Sequence, residues 1–535
     1  MTLPTLALDP FSRCTRAADP ISTRPGVNFE NAYTYDAASN RNSLTAPDGS
    51  ISTYGYDTLN RLNGLANSWA GSFSFGYDAL SRRTQLTRPN GITTNYSYDS
   101  LSHLLSVLHQ AGANTLDGAS YTYDPAGNRI SKANYLNGIT SNYTYDPLYE
   151  LTQVTQGSST TESYTYDAVG NRLSSSAVPT YSYNSANELT SSSAGGYTYD
   201  ANGNTLSDPS GKSYTWDFEN RITQAVVPGT NGGTTTFKYD PFGRRIQKSG
   251  PLGTTNYLYD GINDVEEVDN SGNVLARYTQ TKSIDKPLAQ LRSGTTSYYE
   301  QDGLGSVTSL SSSTGALANT YSYDSFGKLT ASTGTITNPF QYAGREFDQE
   351  TGVYYNRARY LDQSVGRFVS QDPIRFRGGT NFYAYTRNNP VVRTDPFGYY
   401  SGSGVVGSIY LGPDGVWHND GPPLPSDLPG GCSPQSPNAC AGPQGQDEPD
   451  PWMRPPNPPN PNKCDKGDQP PDDEPPVVYK VEPIPPILGE GPCTTWELAD
   501  AWLLGFTMTA HALIQEEVAE PLHVLEGGSA LLHWE

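Results

Sequence analysis

The chain has 535 residues and a formal net charge of −21, and it contains 38 Tyr but only 3 Met. This length is enough for two to four domains that bury sizeable cores. Abundant tyrosine together with 53 Gly and 42 Pro favours β-strands joined by turns over layers of helices. The strong negative charge argues against a nucleic-acid-binding groove, which needs clustered Lys and Arg to contact phosphates.

The sequence predicts neither an export signal nor a membrane span. Residues 1–20 include Asp9 and no apolar run that is long enough for a signal peptide. The most apolar later stretch, Ala501 to Ile514, is short and contains Thr507 and His511, whereas a membrane-spanning helix needs about 18 apolar residues or more. The sequence therefore predicts a chain without a transmembrane segment.

An internal repeat organises the first part of the chain. An aromatic-x-Tyr-Asp unit recurs with a constant spacing of 21 residues in its first four copies, and the later copies are spaced less regularly. The copies end at Asp36, Asp57, Asp78, Asp99, Asp124, Asp146, Asp167, Asp200, Asp240, Asp260 and Asp324, with degenerate copies at Tyr183-Asn184 and Trp216-Asp217. Many copies continue into Gly-Asn-Arg-Leu or a related sequence, as at Asp167 to Leu173.

The chemistry of one unit predicts a β-hairpin. The two aromatic rings of Tyr-x-Tyr lie on one face of a strand, because side chains alternate along a strand. The Asp can accept backbone N–H groups, and the Gly-Asn that follows can adopt positive φ, so this segment is a turn. A hairpin of about 20 residues is not stable alone, and neighbouring units must therefore pair.

This repeat resembles the YD repeat of RHS proteins, teneurins and the B and C components of Tc toxin complexes. The resemblance covers about residues 30–330. It implies an all-β fold in which the hairpins spiral into a hollow shell around a C-terminal polypeptide. The repeat region is shorter than the closed shells of the family, which leaves open a partial shell, an open sheet or an oligomer.

Residues 298–399 resemble the RHS repeat-associated core over almost their whole length. The matching motifs are Tyr298 to Val307, Tyr321 to Gly327, Phe340 to Asp348, Thr351 to Tyr360, Gly366 to Pro373, Asn381 to Pro390 and Asp395 to Gly398. In the family, this core is followed by cleavage of its own backbone just after an Asp-Pro-x-Gly-hydrophobe motif.

The resemblance implies a candidate site of three side chains. The two acids are Asp372 and Asp395, the supporting base is Arg359, and the expected scissile bond joins Tyr399 to Tyr400. Two carboxyl groups held close together can share a proton, so that one acts as a base and the other as an acid. A nearby arginine can keep one of them ionised and oriented.

Each of these residues also has an ordinary structural interpretation. Asp-Pro-x-Gly occurs in the repeats as Asp124 to Gly127 and as Asp240 to Gly243, where it is a turn, and Arg359 alone would be a salt-bridge partner. The family usually has Leu after Asp-Pro-x-Gly, whereas this chain has Tyr399. Whether Tyr399 permits cleavage is left open by the sequence.

The composition changes after Tyr400. Residues 421–492 hold 22 of the 42 prolines, and residues 400–535 carry 20 acidic and 4 basic residues. This composition predicts an extended acidic linker. Four cysteines (Cys432, Cys440, Cys464 and Cys493) do not have the spacing of a zinc site. The last 42 residues have helical periodicity, and His511, His523 and His533 match no metal or nuclease motif.

These observations divide the chain into an N-terminal lead-in (1–30), YD repeats (31–297), the core (298–399), an acidic Pro-rich linker (400–493) and a helical variable tail (494–535).

The resemblance implies a polymorphic-toxin carrier that encloses its own C-terminal peptide and cuts it free. As an enzyme, such a carrier is at most a single-turnover autoprotease. Such a carrier is cytoplasmic before export and is secreted or displayed by a non-classical route. Its implied partners are that peptide, a secretion-system or toxin-complex component and an immunity protein. No cofactor or metal is expected, and the activity of the tail is unassigned. The alternative is a non-enzymatic surface or structural repeat protein, or a remnant of a larger RHS protein with an inactive core.

Overall fold

A computed structural model describes residues 30–230 and 232–399, together with the backbone of five short strands outside these ranges. The predictions for Tyr400, the four cysteines of the linker and the helical tail lie outside the described residues, and of the linker (400–493) the structure describes only the strand backbones between residues 402 and 419. The domain boundaries drawn from the sequence stay predictions.

The repeats form antiparallel sheets in which each strand pairs with its neighbours in sequence. The first sheet has 16 strands: β1 (Leu6–Leu8), β2 (Cys14–Ala18), β3 (Glu30–Tyr35), β4 (Arg41–Thr45), β5 (Ile51–Tyr56), β6 (Leu62–Asn67), β7 (Gly71–Tyr77), β8 (Arg83–Thr87), β9 (Ile92–Tyr98), β10 (Leu104–Ala111), β11 (Asn114–Tyr123), β12 (Arg129–Asn134), β13 (Thr140–Tyr145), β14 (Leu151–Gln156), β15 (Ser159–Tyr166) and β16 (Arg172–Ser175). A small sheet follows, with β17 (Tyr181–Tyr183), β18 (Leu189–Ser192) and β19 (Gly195–Gly196).

The second long sheet has 14 strands: β20 (Thr198–Tyr199), β21 (Thr205–Ser207), β22 (Ser213–Trp216), β23 (Ile222–Val227), β24 (Gly233–Tyr239), β25 (Arg245–Gly250), β26 (Gly253–Asp260), β27 (Asn263–Val268), β28 (Val274–Gln280), β29 (Pro287–Arg292), β30 (Thr295–Gln301), β31 (Val307–Ser312), β32 (Leu317–Tyr323) and β33 (Leu329–Thr333). The all-β prediction is confirmed, and the long antiparallel sheets are those expected of a YD-repeat shell.

The remaining elements are short. A four-stranded sheet contains β34 (Glu346–Asp348), β35 (Val353–Asn356), β36 (Arg359–Asp362) and β37 (Arg367–Phe368). Three 3₁₀ turns cover Tyr342–Gly344, Arg375–Arg377 and Thr386–Asn388. Two strand pairs end the series: β38 (Arg393–Thr394) with β39 (Gly402–Ser403), and β40 (Ile409–Leu411) with β41 (Trp417–Asn419). The described part of the chain has no helix that is long and apolar enough to cross a membrane.

The YD units form the hairpin turns that their residues predict, except that Asp260 is the last residue of β26 and pairs directly with Asn263. In the unit at Asp124, Oδ1 accepts the backbone N–H groups of Ala126 and Asn128 at 2.9 and 2.8 Å. Gly127 adopts a φ of 83°, which a residue without a Cβ adopts readily. Positive φ was expected of the Gly-Asn pair, but Asn128 instead donates from Nδ2 to Asp124 Oδ2 at 2.9 Å.

The YD tyrosine connects successive hairpins. Its hydroxyl donates to a backbone carbonyl at the start of an earlier strand, as in Tyr56 to Arg41, Tyr77 to Leu62 and Tyr98 to Arg83 at 2.8 to 3.0 Å. In the degenerate unit, Trp216 Nε1 makes the equivalent bond to the carbonyl of Thr205 at 2.8 Å. The repeated tyrosine therefore links neighbouring units, in addition to placing an aromatic ring on the inner face.

The two long sheets pack against each other and against the four-stranded sheet. Leu65 and Phe73 of the first sheet share a buried cluster with Leu258 and Tyr298 of the second. Strand β35 is buried throughout, and its side chains alternate between two clusters. Tyr354 packs with residues of the first sheet such as Leu151 and Val154, whereas Val353 and Tyr355 pack with Ile222 and Phe237 of the second. The four-stranded sheet is therefore covered on both faces by repeats.

Candidate functional site: two aspartates on one arginine

The three residues predicted for the site come from different elements of the core and meet at one point. Arg359 is the first residue of β36 and is paired with Asn356 of β35. Asp372 precedes the 3₁₀ turn Arg375–Arg377, and Asp395 follows β38. All three are buried, with exposed fractions of 2%, 5% and 2%.

Arg359 contacts both carboxylates with the same nitrogen. Its Nη2 lies 3.0 Å from Oδ2 of Asp372 and 3.0 Å from Oδ2 of Asp395. The two Oδ2 atoms are therefore no more than about 6 Å apart. The rest of the guanidinium is also held, since Nη1 donates to the carbonyl of Phe382 at 2.9 Å and the group lies 3.6 Å from the centre of the Phe368 ring.

Asp395 shapes the segment that contains the expected cleavage point. Its Oδ1 accepts the backbone N–H of Gly398 at 2.9 Å and that of Tyr399 at 3.1 Å. Arg359 Nε donates to the carbonyl of Gly398 at 2.5 Å. Gly398 has a φ of 72°, and a Cβ there would lie 2.5 Å from the Asn356 carbonyl oxygen, so no larger residue fits. The backbone on the N-terminal side of the expected bond is thus fixed by the same two residues that form the site.

Oδ2 of Asp372 and the carbonyl oxygen of Tyr399 both border the space left by Gly378. A Cβ built on Gly378 would clash with Asp372 Oδ2 and would lie 3.3 Å from the Tyr399 carbonyl oxygen. Gly378 has a φ of −80° and a ψ of −18°, so its backbone conformation is open to any residue. Glycine is needed at position 378 because a side chain would occupy the space beside the Asp372 carboxyl group and the Tyr399 carbonyl.

Burial sets the charge state of the site. It raises the pKa of Asp372 to about 6, and the nearby Arg359 opposes this shift. Burial disfavours the charged form of Arg359 as well, and it lowers the pKa of this arginine although Asp395 and Asp372 favour the charged form. A carboxyl group with a pKa of about 6 beside a second acidic side chain is one arrangement that can carry out acid–base catalysis. The geometry can therefore support proton transfer at the Tyr399 carbonyl.

Sequence reasoning missed the residues that support these three. Asn356 Nδ2 donates to the Asp395 carbonyl at 2.7 Å, and Arg357 Nη1 donates to the Pro396 carbonyl at 2.5 Å. Both residues belong to the Asn356-Arg-Ala-Arg359 motif, which also contains Arg359, so the sequence motif could have pointed to them as well. Nothing in the sequence pointed to Gly378. Among the residues described between 30 and 399, no group of three or more His, Cys, Asp and Glu side chains is placed to bind a metal ion.

A family model described as "Teneurin YD-shell" matches residues 119–391. The match covers more than half of the chain and includes both the later repeats and most of the core. The chain belongs to the teneurin YD-shell family.

Among curated proteins, this YD-shell chain is similar to large bacterial proteins. The tRNA3(Ser)-specific nuclease WapA of Bacillus spizizenii is 37% identical over 174 residues, which is 31% of this chain and 7% of the relative. The double-stranded DNA deaminase toxin A of Burkholderia cenocepacia is 30% identical over 210 residues, which is 34% of this chain and 14% of the relative. The matched segments therefore span a small part of either relative.

A solved structure supports the same fold. The crystal structure of TcdB2–TccC3 superposes with a TM-score of 0.61 at 22% identity, covering 73% of this YD-shell chain and 24% of the solved one. At this level of identity the likeness concerns the fold alone.

Proposed function

We propose that this YD-shell chain is the carrier part of an exported bacterial polymorphic toxin, and that it cuts its own backbone between Tyr399 and Tyr400. One observation carries the cleavage part of this proposal: Asp372 and Asp395 share Nη2 of Arg359 next to the Tyr399 carbonyl. The carrier part is supported by the names of its relatives, a tRNA nuclease and a DNA deaminase toxin, and by the shared fold of TcdB2–TccC3.

The proposed reaction is hydrolysis of one peptide bond with two carboxyl groups. Asp372, which can hold a proton near neutral pH, donates it to the Tyr399 carbonyl oxygen while a water molecule attacks the carbonyl carbon. Asp395 takes a proton from that water. When the carbon–nitrogen bond breaks, Asp395 passes its proton to the leaving amine of residue 400, and Asp372 recovers its own. The products are a carboxyl group on Tyr399 and a new N-terminal amine.

The surroundings of the site explain why no external substrate pocket is required. The segment before the bond is fixed by Asp395 and Arg359, so the reacting carbonyl is held in place as part of the folded chain. Fixing reacting groups in this way lowers the barrier by removing the cost of bringing them together. After the cut, Gly402–Ser403 of the new fragment pairs with Arg393–Thr394, which would keep the fragment associated with the carrier.

The mass of the purified full-length chain tests the proposal. We expect wild type to yield two fragments, residues 1–399 and 400–535, that elute together in size-exclusion chromatography. Asp372→Asn and Asp395→Asn should each leave one full-length species.

Asp124→Asn is the matched control, because Asp124 begins an Asp-Pro-Ala-Gly turn but binds backbone N–H groups and Asn128 rather than an arginine. This variant should be cut like wild type. A folded wild-type chain that stays intact for days at pH 5 to 8 would contradict the cleavage proposal.

A further inference from the structure

A buried aspartate of the second sheet lies between two arginines of the core. Asp285 is in the loop that joins β28 to β29 and is 8% exposed. Its Oδ1 lies 2.5 Å from Nη1 of Arg345 and 2.9 Å from Nη2 of Arg357. The two arginines belong to the Phe340–Asp348 and Thr351–Tyr360 motifs of the core, so the three side chains join the repeats to the core.

The two arginines differ in what else they bind. Arg345 donates from Nε and Nη2 to the Tyr355 carbonyl, at 3.1 and 2.6 Å, and so holds β35. Arg357 donates from Nη1 to the Pro396 carbonyl at 2.5 Å and lies 5.3 Å from the centre of the Phe397 ring. Only the second arginine of the pair therefore reaches the segment 395–399, which ends at the Tyr399 carbonyl.

Glycine at position 344 allows the loop of the second sheet to approach this closely. A Cβ on Gly344 would lie 2.6 Å from the Asp285 carbonyl oxygen and 3.2 Å from its Cβ. The backbone of the core and the backbone of the loop are therefore in direct contact, and Asp285 itself adopts a φ of 57°. Positive φ is costly for a residue other than glycine and persists only when the surroundings hold it.

The charges of this cluster orient the side chains of Arg345 and Arg357 and contribute little to the stability of the fold. Burial opposes ionisation of Asp285, but Arg345 and Arg357 outweigh it and hold the pKa of Asp285 below its usual value. Buried ion pairs gain little net stability, because removing the charges from water costs about as much as their attraction returns. A buried carboxylate that accepts from two guanidinium groups does, however, fix the direction of both.

We propose that Asp285 and Arg357 are positioning residues that make backbone cleavage depend on docking of the 281–286 loop of the second sheet against the four-stranded sheet. Asp285 orients Arg357, and Arg357 holds the Pro396 carbonyl, so the segment 395–399 reaches its cleavage geometry only when the 281–286 loop is in place. The inference rests on the proposed cleavage at Tyr399. It implies that a chain with an unassembled second sheet would keep its C-terminal peptide attached.

The first measurement does not depend on cleavage. In the Asp372→Asn background, hydrogen exchange of the Gly398 and Tyr399 amides reports how firmly Asp395 holds the segment. We expect Arg357→Met to speed this exchange by about tenfold or more, since the segment opens locally. Arg345→Met is the matched control, because it removes the other half of the same ion cluster without touching the segment, and it should change the exchange less than about threefold.

The second measurement uses the cleavage rate of the full-length chain. Arg357→Met should slow the first-order rate by about tenfold to 100-fold, as small displacements of reacting groups do, while Arg345→Met leaves it within about threefold. Arg357→Lys should restore part of the rate, because an ammonium group can still donate to the Pro396 carbonyl.

Asp285→Asn tests the link to the second sheet and should match Arg357→Met in both measurements. If this variant does not fold, the pair of arginine variants decides. Equal effects of Arg345→Met and Arg357→Met would overturn the inference, as would unchanged exchange in Arg357→Met or in a folded Asp285→Asn. If wild type is never cut but the exchange rates differ as expected, the positioning stands and the cleavage proposal fails.

Discussion

The tetrapeptide Asp-Pro-Phe-Gly occurs twice in this chain and is used in two ways. At Asp240 it is an ordinary repeat turn, in which Oδ1 accepts the N–H groups of Phe242 and Arg244 and Oδ2 pairs with Arg244, four residues away. At Asp395 the carboxylate instead accepts from Gly398 and Tyr399 and pairs with Arg359, which is 36 residues away. The side chain that partners the aspartate, and not the tetrapeptide, separates a turn from a candidate site.

The pH dependence of cleavage follows from the raised pKa of Asp372. Its value of about 6 lies above the ordinary value of 3.8, so the protonated form is abundant below pH 6 and falls by about tenfold per pH unit above it. If Asp372 donates its proton to the Tyr399 carbonyl, the cleavage rate should decrease as pH rises through about 6. Timed mass spectra between pH 5 and 8 measure this, with circular dichroism to verify the fold. A rate that increases through the same range would instead make Asp372 the base.

The space at Gly378 gives a second prediction at this scale. Gly378→Ala adds one methyl group where Asp372 Oδ2 and the Tyr399 carbonyl converge, without straining the backbone. We expect cleavage to slow by about 100-fold, because the two groups must move apart, while the melting temperature changes little. Gly64→Ala is the control, since the nearest atom to its Cβ would be the Phe73 carbonyl oxygen at 4.0 Å. Equal cleavage by both variants would contradict this account.

At the scale of the element, the hairpin depends on bonds that one repeat makes to another. The aspartate and glycine complete a turn within a unit, as the sequence predicts, whereas the YD tyrosine hydroxyl reaches a carbonyl of an earlier strand. The degenerate copy at Trp216 keeps this bond with its indole nitrogen. A donor at the tip of the side chain is thus a requirement of the repeat, along with the aromatic ring.

Removing one such donor should have a measurable cost. Tyr77→Phe deletes the hydroxyl that donates to the Leu62 carbonyl at 2.8 Å but keeps the ring, which lies 4.9 Å from the Arg61 guanidinium carbon. We expect a loss of about 1 kcal/mol in the free energy of unfolding, the net contribution of a typical hydrogen bond. Urea denaturation measures it. Tyr135→Phe, at a tyrosine that is 43% exposed, should be neutral, and an equal loss there would count against the role of the bond.

At the scale of the molecule, charged groups join the two long sheets at several points. Arg41 pairs with Asp260 at 2.6 Å and Lys132 with Asp302 at 2.7 Å, while Asp48 contacts both Arg277 and Glu266. Burial, together with the neighbouring Asp48, raises the pKa of Glu266 to about 9. Burial by itself would raise the pKa of Asp48. The interaction with Glu266 and the hydrogen bonds that Asp48 accepts from Ser50 and Arg277 outweigh burial and lower this pKa to about 2. The backbone N–H of Asp48 donates to Oε1 of Glu266 at 3.3 Å, and the raised pKa keeps the Glu266 carboxyl group protonated at neutral pH.

This pair predicts a loss of stability in alkali. The folded-state pKa of Glu266 lies above its ordinary value of 4.5. The contribution of protonated Glu266 to the free energy of unfolding is therefore complete below pH 4.5 and is lost as pH rises through about 9. Between pH 6 and 9 we expect wild type to lose on the order of 4 kcal/mol more than Glu266→Gln, because the unfolded state has released this proton while the folded state still retains it. Thermal unfolding at several pH values measures this. Glu219→Gln, at a surface salt bridge, serves as control, and parallel curves for wild type and Glu266→Gln would contradict the expectation.

The sequence by itself determined the local structure and the identity of three residues. Period-two aromatics and Asp-x-x-Gly turns are local chemistry, so the hairpins, their turns and the all-β class were predictable. The core motifs pointed to Arg359, Asp372 and Asp395, which the fold does bring together, while their role in cleavage is still a proposal. Tyr400 and the tail lie outside the described residues.

Only the tertiary structure decided which parts of the molecule face each other. The repeats are nearly alike, so nothing in their sequence specifies that Arg41 meets Asp260 or that Asp285 meets Arg357, partners separated by 219 and 72 residues. The same holds for Gly378, whose importance comes from atoms of Asp372 and Tyr399 that fold around it. Turn formation is set by neighbours along the chain, whereas the segment that ends at the Tyr399 carbonyl is held by Arg359 and Asp395, which only the fold brings together across 36 residues.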